Sequence, residues 1–110
     1  MNPEIKTKWV AALRSGDYKQ TKGYLEKDGY HCCLGVLCEI SKLETGFGVK
    51  ETILEGCGIQ LISDTVIMWS GLDTESGSRV FIDGDDIMLA DHNDEGRTFL
   101  EIADAIESQL

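Results

Sequence analysis

A chain of 110 residues, 42% hydrophobic and 27% charged, can build one modest core and is too short for two domains. That balance excludes a disordered chain, and no apolar run approaches the length of a membrane-spanning helix. A net charge of −10 excludes a general nucleic-acid binder, because such a chain gains little by releasing counterions from phosphate.

The charge is uneven. Residues 1–50 carry eight Lys/Arg and six Asp/Glu; residues 51–110 carry two and fourteen. Local positive charge for a small anion is therefore confined to the first half, at Lys6, Lys8, Arg14, Lys19, Lys22 and Lys27. The N-terminal stretch MNPEIKTKWV lacks the apolar core of a signal peptide, so the expected location is the cytoplasm. There Cys32, Cys33, Cys38 and Cys57 should stay reduced.

Asn2 and Pro3 suit the cap and first position of a helix. Ile5, Trp9, Ala12 and Leu13 give it one apolar face, and Gly16 stops it. TKGYLEKDGYHCC then reads as a β-hairpin turning at Asp28-Gly29, a pair that accepts positive φ at both positions. LGVLCEISKLETG follows as a mostly buried helix ending at Gly46. Gly35 inside it is a poor helix former, and should mark close approach of another backbone. Residues 49–56 and 57–63 read as two strands or as a strand and a connection, and Ser63 as the cap of a short helix ending at Gly71. SRVFIDG (78–84) reads as a strand closing on a turn. DDIMLADHNDEG reads as a short helix or turn followed by an acidic loop. Thr98 and Glu101 form a capping box for a last helix, with Phe99, Ile102, Ala103, Ile106 and Leu110 on one face. The expected architecture is a single α+β domain over residues 1–110, helices packed on a short antiparallel sheet or hairpins.

Four cysteines raise the question of a site. Structural zinc favours paired C-x2–4-C spacings, which this chain lacks, so no metal or other cofactor is expected. Cys38 and Cys57 suit core packing. Cys32 and Cys33 stand where a strand hands over to a helix, and the helix dipole there should lower a thiol pKa. With Gln20 upstream and His92 and Asn93 downstream, they follow the Gln, Cys, His, Asn order of papain-like hydrolases. A cysteine-dependent hydrolase is thus one functional alternative. Asp91, Asn93, Glu95 and Gly96 match the first half of an EF-hand loop, but Ile102 stands where the bidentate Glu belongs. A turn leading into the last helix explains the segment better.

Four stretches together resemble small proteins common in tailed bacteriophages and prophages. They are WVAALRSGDYKQ (Trp9 to Gln20), GYL (Gly23 to Leu25), YHCCLGVLC (Tyr30 to Cys38) and HNDEGRTFLEIADAIE (His92 to Glu107). The recurring part of the last is Asn-Asp-x-Gly, at 93–96, without a requirement for His92. The resemblance implies a compact phage accessory protein without an assigned activity, for which counter-defence is the expected role.

Two non-catalytic routes follow. The protein could sequester a nucleotide-derived host immune signal, using Trp9, Arg14, Lys22, Tyr24 and Tyr30 for stacking and charge. The Asn93/Asp94 turn and the Cys-rich helix are either mainly structural or form one wall of the pocket, through Cys33, Asn93 and Asp94, and Gln20 and Arg97 complete the candidate ligand-binding set. Pockets between subunits suit so small a fold, so a homo-oligomer is expected. Alternatively, the acidic half could imitate nucleic acid and block a host defence protein. Neither route involves direct nucleic-acid or membrane contact.

Overall fold

The side chain of Asn2 caps the first helix, accepting from the backbone N–H groups of Glu4 (3.0 Å) and Ile5 (3.4 Å). The computed structural model describes residues 1–46, 49–54, 57–62, 64–74 and 76–110, and only the backbone of 49–54 and 57–61. Helix α1 (Pro3–Ser15) ends at Gly16 in the left-handed region and buries Ile5, Trp9, Val10 and Leu13. Three very short strands follow: β1 (Lys19–Gln20), β2 (Glu26–Lys27) and β3 (Tyr30–His31). The β2–β3 hairpin turns at Asp28 (φ 53°) and Gly29 (φ 84°), as expected. The sheet is not purely antiparallel, however, because β1 adds to β3 in parallel, giving the order β1-β3-β2. Two residues carry no periodicity, so the sequence offered no sign of this strand.

Cys32 caps helix α2 (Cys33–Thr45), its sulfur accepting the Gly35 N–H at 3.4 Å, and Gly46 ends it. A Cβ on Gly35 would lie 1.8 Å from the Leu25 carbonyl oxygen, so the expected backbone approach is present. Strands β4 (Val49–Leu54) and β5 (Cys57–Ile62) pair antiparallel. Helix α3 (Asp64–Ser70) ends at Gly71, whose N–H reaches the Ile67 carbonyl. Ser63, the expected cap, and the side chain of Cys57 lie outside the described residues.

Residues 85–94 correct the reading. After β6 (Arg79–Ile82), Asp83 (φ 48°) and Gly84 (φ 94°) reverse the chain. Asp85–Met88 then returns as strand β7, with Val80 opposite Ile87. DDIM is therefore a strand, because β6 needs a ladder partner and the tight turn delivers one. The expected acidic loop is mostly helix α4 (Leu89–Asp94), which also removes the loop geometry that a calcium site requires. Helix α5 (Phe99–Gln109) starts with the expected reciprocal box between Thr98 and Glu101.

Helices α1, α2, α4 and α5 enclose the core, where Trp9, Leu34, Leu37, Leu89, Ile102 and Ile106 are fully buried. The result is one small α+β domain whose described strands form short sheets, with Val80 and Ile82 of β6 reaching into the core. No described helix is long and apolar enough to cross a membrane.

Candidate functional site

Asn93 stands at the centre of a polar knot. Its Oδ1 accepts from Gln20 Nε2 (2.9 Å) and from the Cys33 backbone N–H (3.1 Å), and its Nδ2 donates to the Thr21 carbonyl (2.8 Å). Gln20 Nε2 also donates to the Arg97 carbonyl, at 2.7 Å. Asp94 Oδ1 takes the Gly23 N–H, at 2.9 Å. Helix α4 thus bonds both the segment after β1 and the first turn of α2. A fully buried amide with these partners has little left to offer a ligand. The structure brings Asn93 and Gln20 together as structural fasteners, the structural one of the two readings for Asn93, rather than as pocket wall.

Cys33 is likewise enclosed: its thiol donates to the Leu89 carbonyl (3.6 Å) and its own carbonyl accepts from Trp9 Nε1 (2.8 Å). Trp9 is fully buried, so neither residue faces a ligand, a correction to the expected set. His92 is also fully buried, its Nε2 against the Val80 carbonyl oxygen at 2.7 Å. Among the described residues no hydrogen bond joins a thiol to this imidazole. The expected thiolate fails on energetic grounds. Burial pushes the Cys32 thiol up and Cys33 well up, and it raises Cys38 to about 12. Desolvation outweighs the dipole of the helix start.

A pH dependence follows with a definite sign. An unfolded thiol titrates near about 8.5, whereas the folded thiols retain their protons above that value. Stability present below that pH should fall above it, by about 1.4 kcal/mol per pH unit for Cys38, with Cys32 and Cys33 acting in the same direction. Urea denaturation between about pH 8 and pH 10 should show this slope, and Cys38→Ala should reduce it. Peptide-resolved alkylation of the native protein should find Cys32, Cys33 and Cys38 slow; fast labelling of any of the three contradicts the burial.

Of the exposed candidates, Tyr30 stands on the small sheet, and Lys22 and Tyr24 lie in the segment between β1 and β2. Lys19, Tyr30 and Lys27 are register partners across β1-β3-β2 and form one row on its outer face, all exposed. Their neighbours Gln20, His31 and Glu26 form the inner row, with His31 buried. The Lys19 ammonium lies 5.7 Å from the Tyr30 ring centre, and that of Lys27 lies 4.5 Å from the Tyr24 ring centre. Both rings remain over two-fifths exposed, Tyr24 at 41% and Tyr30 at 43%. Lys22 is exposed nearby, with its ammonium 3.3 Å from where a Cβ on Gly96 would stand. Lys19 and Lys27 stood among the basic residues of the first half that could meet an anion, but not in the ligand-binding set. The hairpin register of Asp28-Gly29 could have paired Lys27 with Tyr30, but nothing local could have brought Lys19 in.

The two candidate arginines, Arg14 and Arg97, are engaged elsewhere. Arg14 bonds Asp104 (2.7 Å) and also pairs with Glu107, both on α5. Arg97 bonds Asp83 (2.8 Å) and Glu101 (3.2 Å) and lies 3.7 Å from Asp85. No group of three or more His, Cys, Asp or Glu among the described residues is arranged to hold a metal ion.

No curated protein and no solved structure matches the chain. One family model, a domain of unknown function (DUF8296), matches it over residues 1–110, and the chain belongs to that family.

Proposed function

We propose that the protein is a non-catalytic binding protein that holds a small anionic, nucleotide-like ligand on the outer face of the β1-β3-β2 sheet. The observation that carries this reading is the row Lys19–Tyr30–Lys27, with Tyr24 beside Lys27. Each exposed ring offers a stacking platform worth about 1–3 kcal/mol per base. Each lysine already sits against a ring, so a phosphate attached to a stacked base meets a cation at close range. The outer row itself carries two lysines and no carboxylate in a chain whose net charge is −10, which favours a small anion over a long polyanion. The resemblance to bacteriophage proteins supports counter-defence in the host cytoplasm as its setting, with a nucleotide-derived immune signal as the ligand. Two copies could close their sheets over one ligand, so a homo-oligomer belongs to the proposal.

Calorimetric titration with ATP and with cyclic dinucleotides tests it, alongside native mass spectrometry for stoichiometry and assembly. At least one of these nucleotides should bind at fixed stoichiometry, more weakly as salt rises. Tyr30→Ala should weaken it about tenfold or more, as loss of one stacking contact requires. Because Tyr30 is exposed, its loss should change stability by no more than about 0.5 kcal/mol. Nucleotide binding that ignores Tyr30→Ala, or no binding of any of these probes, would remove the proposal.

A further inference from the structure

Strand β6 pairs with β7 on one side, and on the other its backbone is occupied by a side chain. The Phe81 N–H donates to Gln109 Oε1 and the Phe81 carbonyl accepts from Gln109 Nε2, both at 2.7 Å. One acceptor and one donor aimed at the same residue is what an added strand would supply. Gln109 is exposed, at the end of α5, so the edge is closed by a side chain rather than by a strand. Natural edges are normally blunted by charge, proline or a covering segment. Here Phe81 is 55% exposed beside the closure. The strand edge and α5 border a shallow groove of about 310 Å³, whose lining includes Phe81, Ile82, Asp83, Glu101, Asp104 and Gln109.

The charge around this groove is one-sided. Asp83, Asp85 and Glu101 share Arg97, while Asp104 and Glu107 share Arg14. Of these, Asp83, Glu101 and Asp104 line the groove itself, and no lysine or arginine is among its lining residues, so its wall is acidic. We propose that the β6 edge docks an extended basic segment of a partner protein, which adds as a further strand and displaces the Gln109 amide. Its backbone would take over the two Phe81 bonds. Alternate side chains would meet Phe81 and the carboxylates, the division of labour of strand-addition sites. This site is separate from the Tyr30 face and does not depend on it.

The probe is a set of short peptides in which lysine or arginine alternates with valine, isoleucine or phenylalanine. It is titrated into the isotope-labelled protein and followed by amide NMR. Basic members should move the Phe81 amide and the Gln109 side-chain amide, whereas counterparts with glutamate in place of the basic residues should not. N-methylation of the pairing residues should abolish the effect. Gln109→Ala should tighten binding about tenfold, since two hydrogen bonds no longer need breaking. Tyr30→Ala should leave it unchanged, which separates this result from nucleotide binding. Silence of the Phe81 amide across the set, equal binding of N-methylated peptides, or no tightening in Gln109→Ala would overturn the proposal. A Phe81 shift on concentrating the protein alone would assign the edge to a second copy, and overturn it too.

Discussion

Replacing Gly35 with alanine should destabilise the fold by about 3 kcal/mol, although alanine is the better helix former by about 1 kcal/mol. The new Cβ would stand 1.8 Å from the Leu25 carbonyl oxygen, 2.7 Å from its carbon and 3.3 Å from its Cα. All three are backbone atoms, so no rotamer change relieves the overlap. The same oxygen accepts the Cys32 N–H at 3.1 Å, and moving it away strains the bond that joins the hairpin to the start of α2. Displacing α2 instead would disturb the Cys33 bonds to Asn93 and Trp9. A loss of this size lowers the melting temperature by on the order of 15 °C in a domain of this length. Thermal and urea denaturation measure it. An unchanged or higher melting temperature would mean that helix propensity outweighs the clash and that the Leu25 backbone gives way freely.

Asn93→Ala should cost about 2–6 kcal/mol. Two backbone groups would lose their partner for this amide: the Cys33 N–H and the Thr21 carbonyl. Each unsatisfied buried group costs about 1–3 kcal/mol. Gln20 suffers less, because its Nε2 keeps the Arg97 carbonyl. Gln20→Ala alone should therefore cost about 1 kcal/mol. The double variant should be less destabilised than the two single losses added together, since both act on one bond. The folded fraction of Asn93→Ala should still bind nucleotide as the wild type does if the amide only fastens helices. A selective loss of affinity without loss of stability would instead make Asn93 a ligand contact.

Much of the frame could be read locally. Asn2 with Pro3, Thr98 with Glu101, and the stops at Gly16, Gly46 and Gly71 each involve residues a few positions apart. Capping and positive φ are properties of such short stretches, so composition at those positions decides them. The turn at Asp28-Gly29 is of the same kind. Gly35 was legible for a subtler reason: a glycine inside an apolar helix is costly unless another backbone must come close.

The candidate sites were less legible, because they depend on partners far away in sequence. Asn93 and Asp94 look like turn residues in isolation, yet they end a helix, and Asn93 reaches across to residues 20, 21 and 33. Cys32 and Cys33 do stand at a helix start, where local reasoning lowers a thiol pKa. The surrounding core desolvates them and reverses the sign. Lys19 joins Tyr30 and Lys27 through a parallel pairing that no neighbouring residue announces. Gln109 meets Phe81 across 28 positions. Helix ends and tight turns are settled by interactions within a few residues, which a linear chain displays directly. Burial, strand partners and the company a charged or aromatic side chain keeps are settled by which distant surfaces pack together, and those emerge only once the chain has folded.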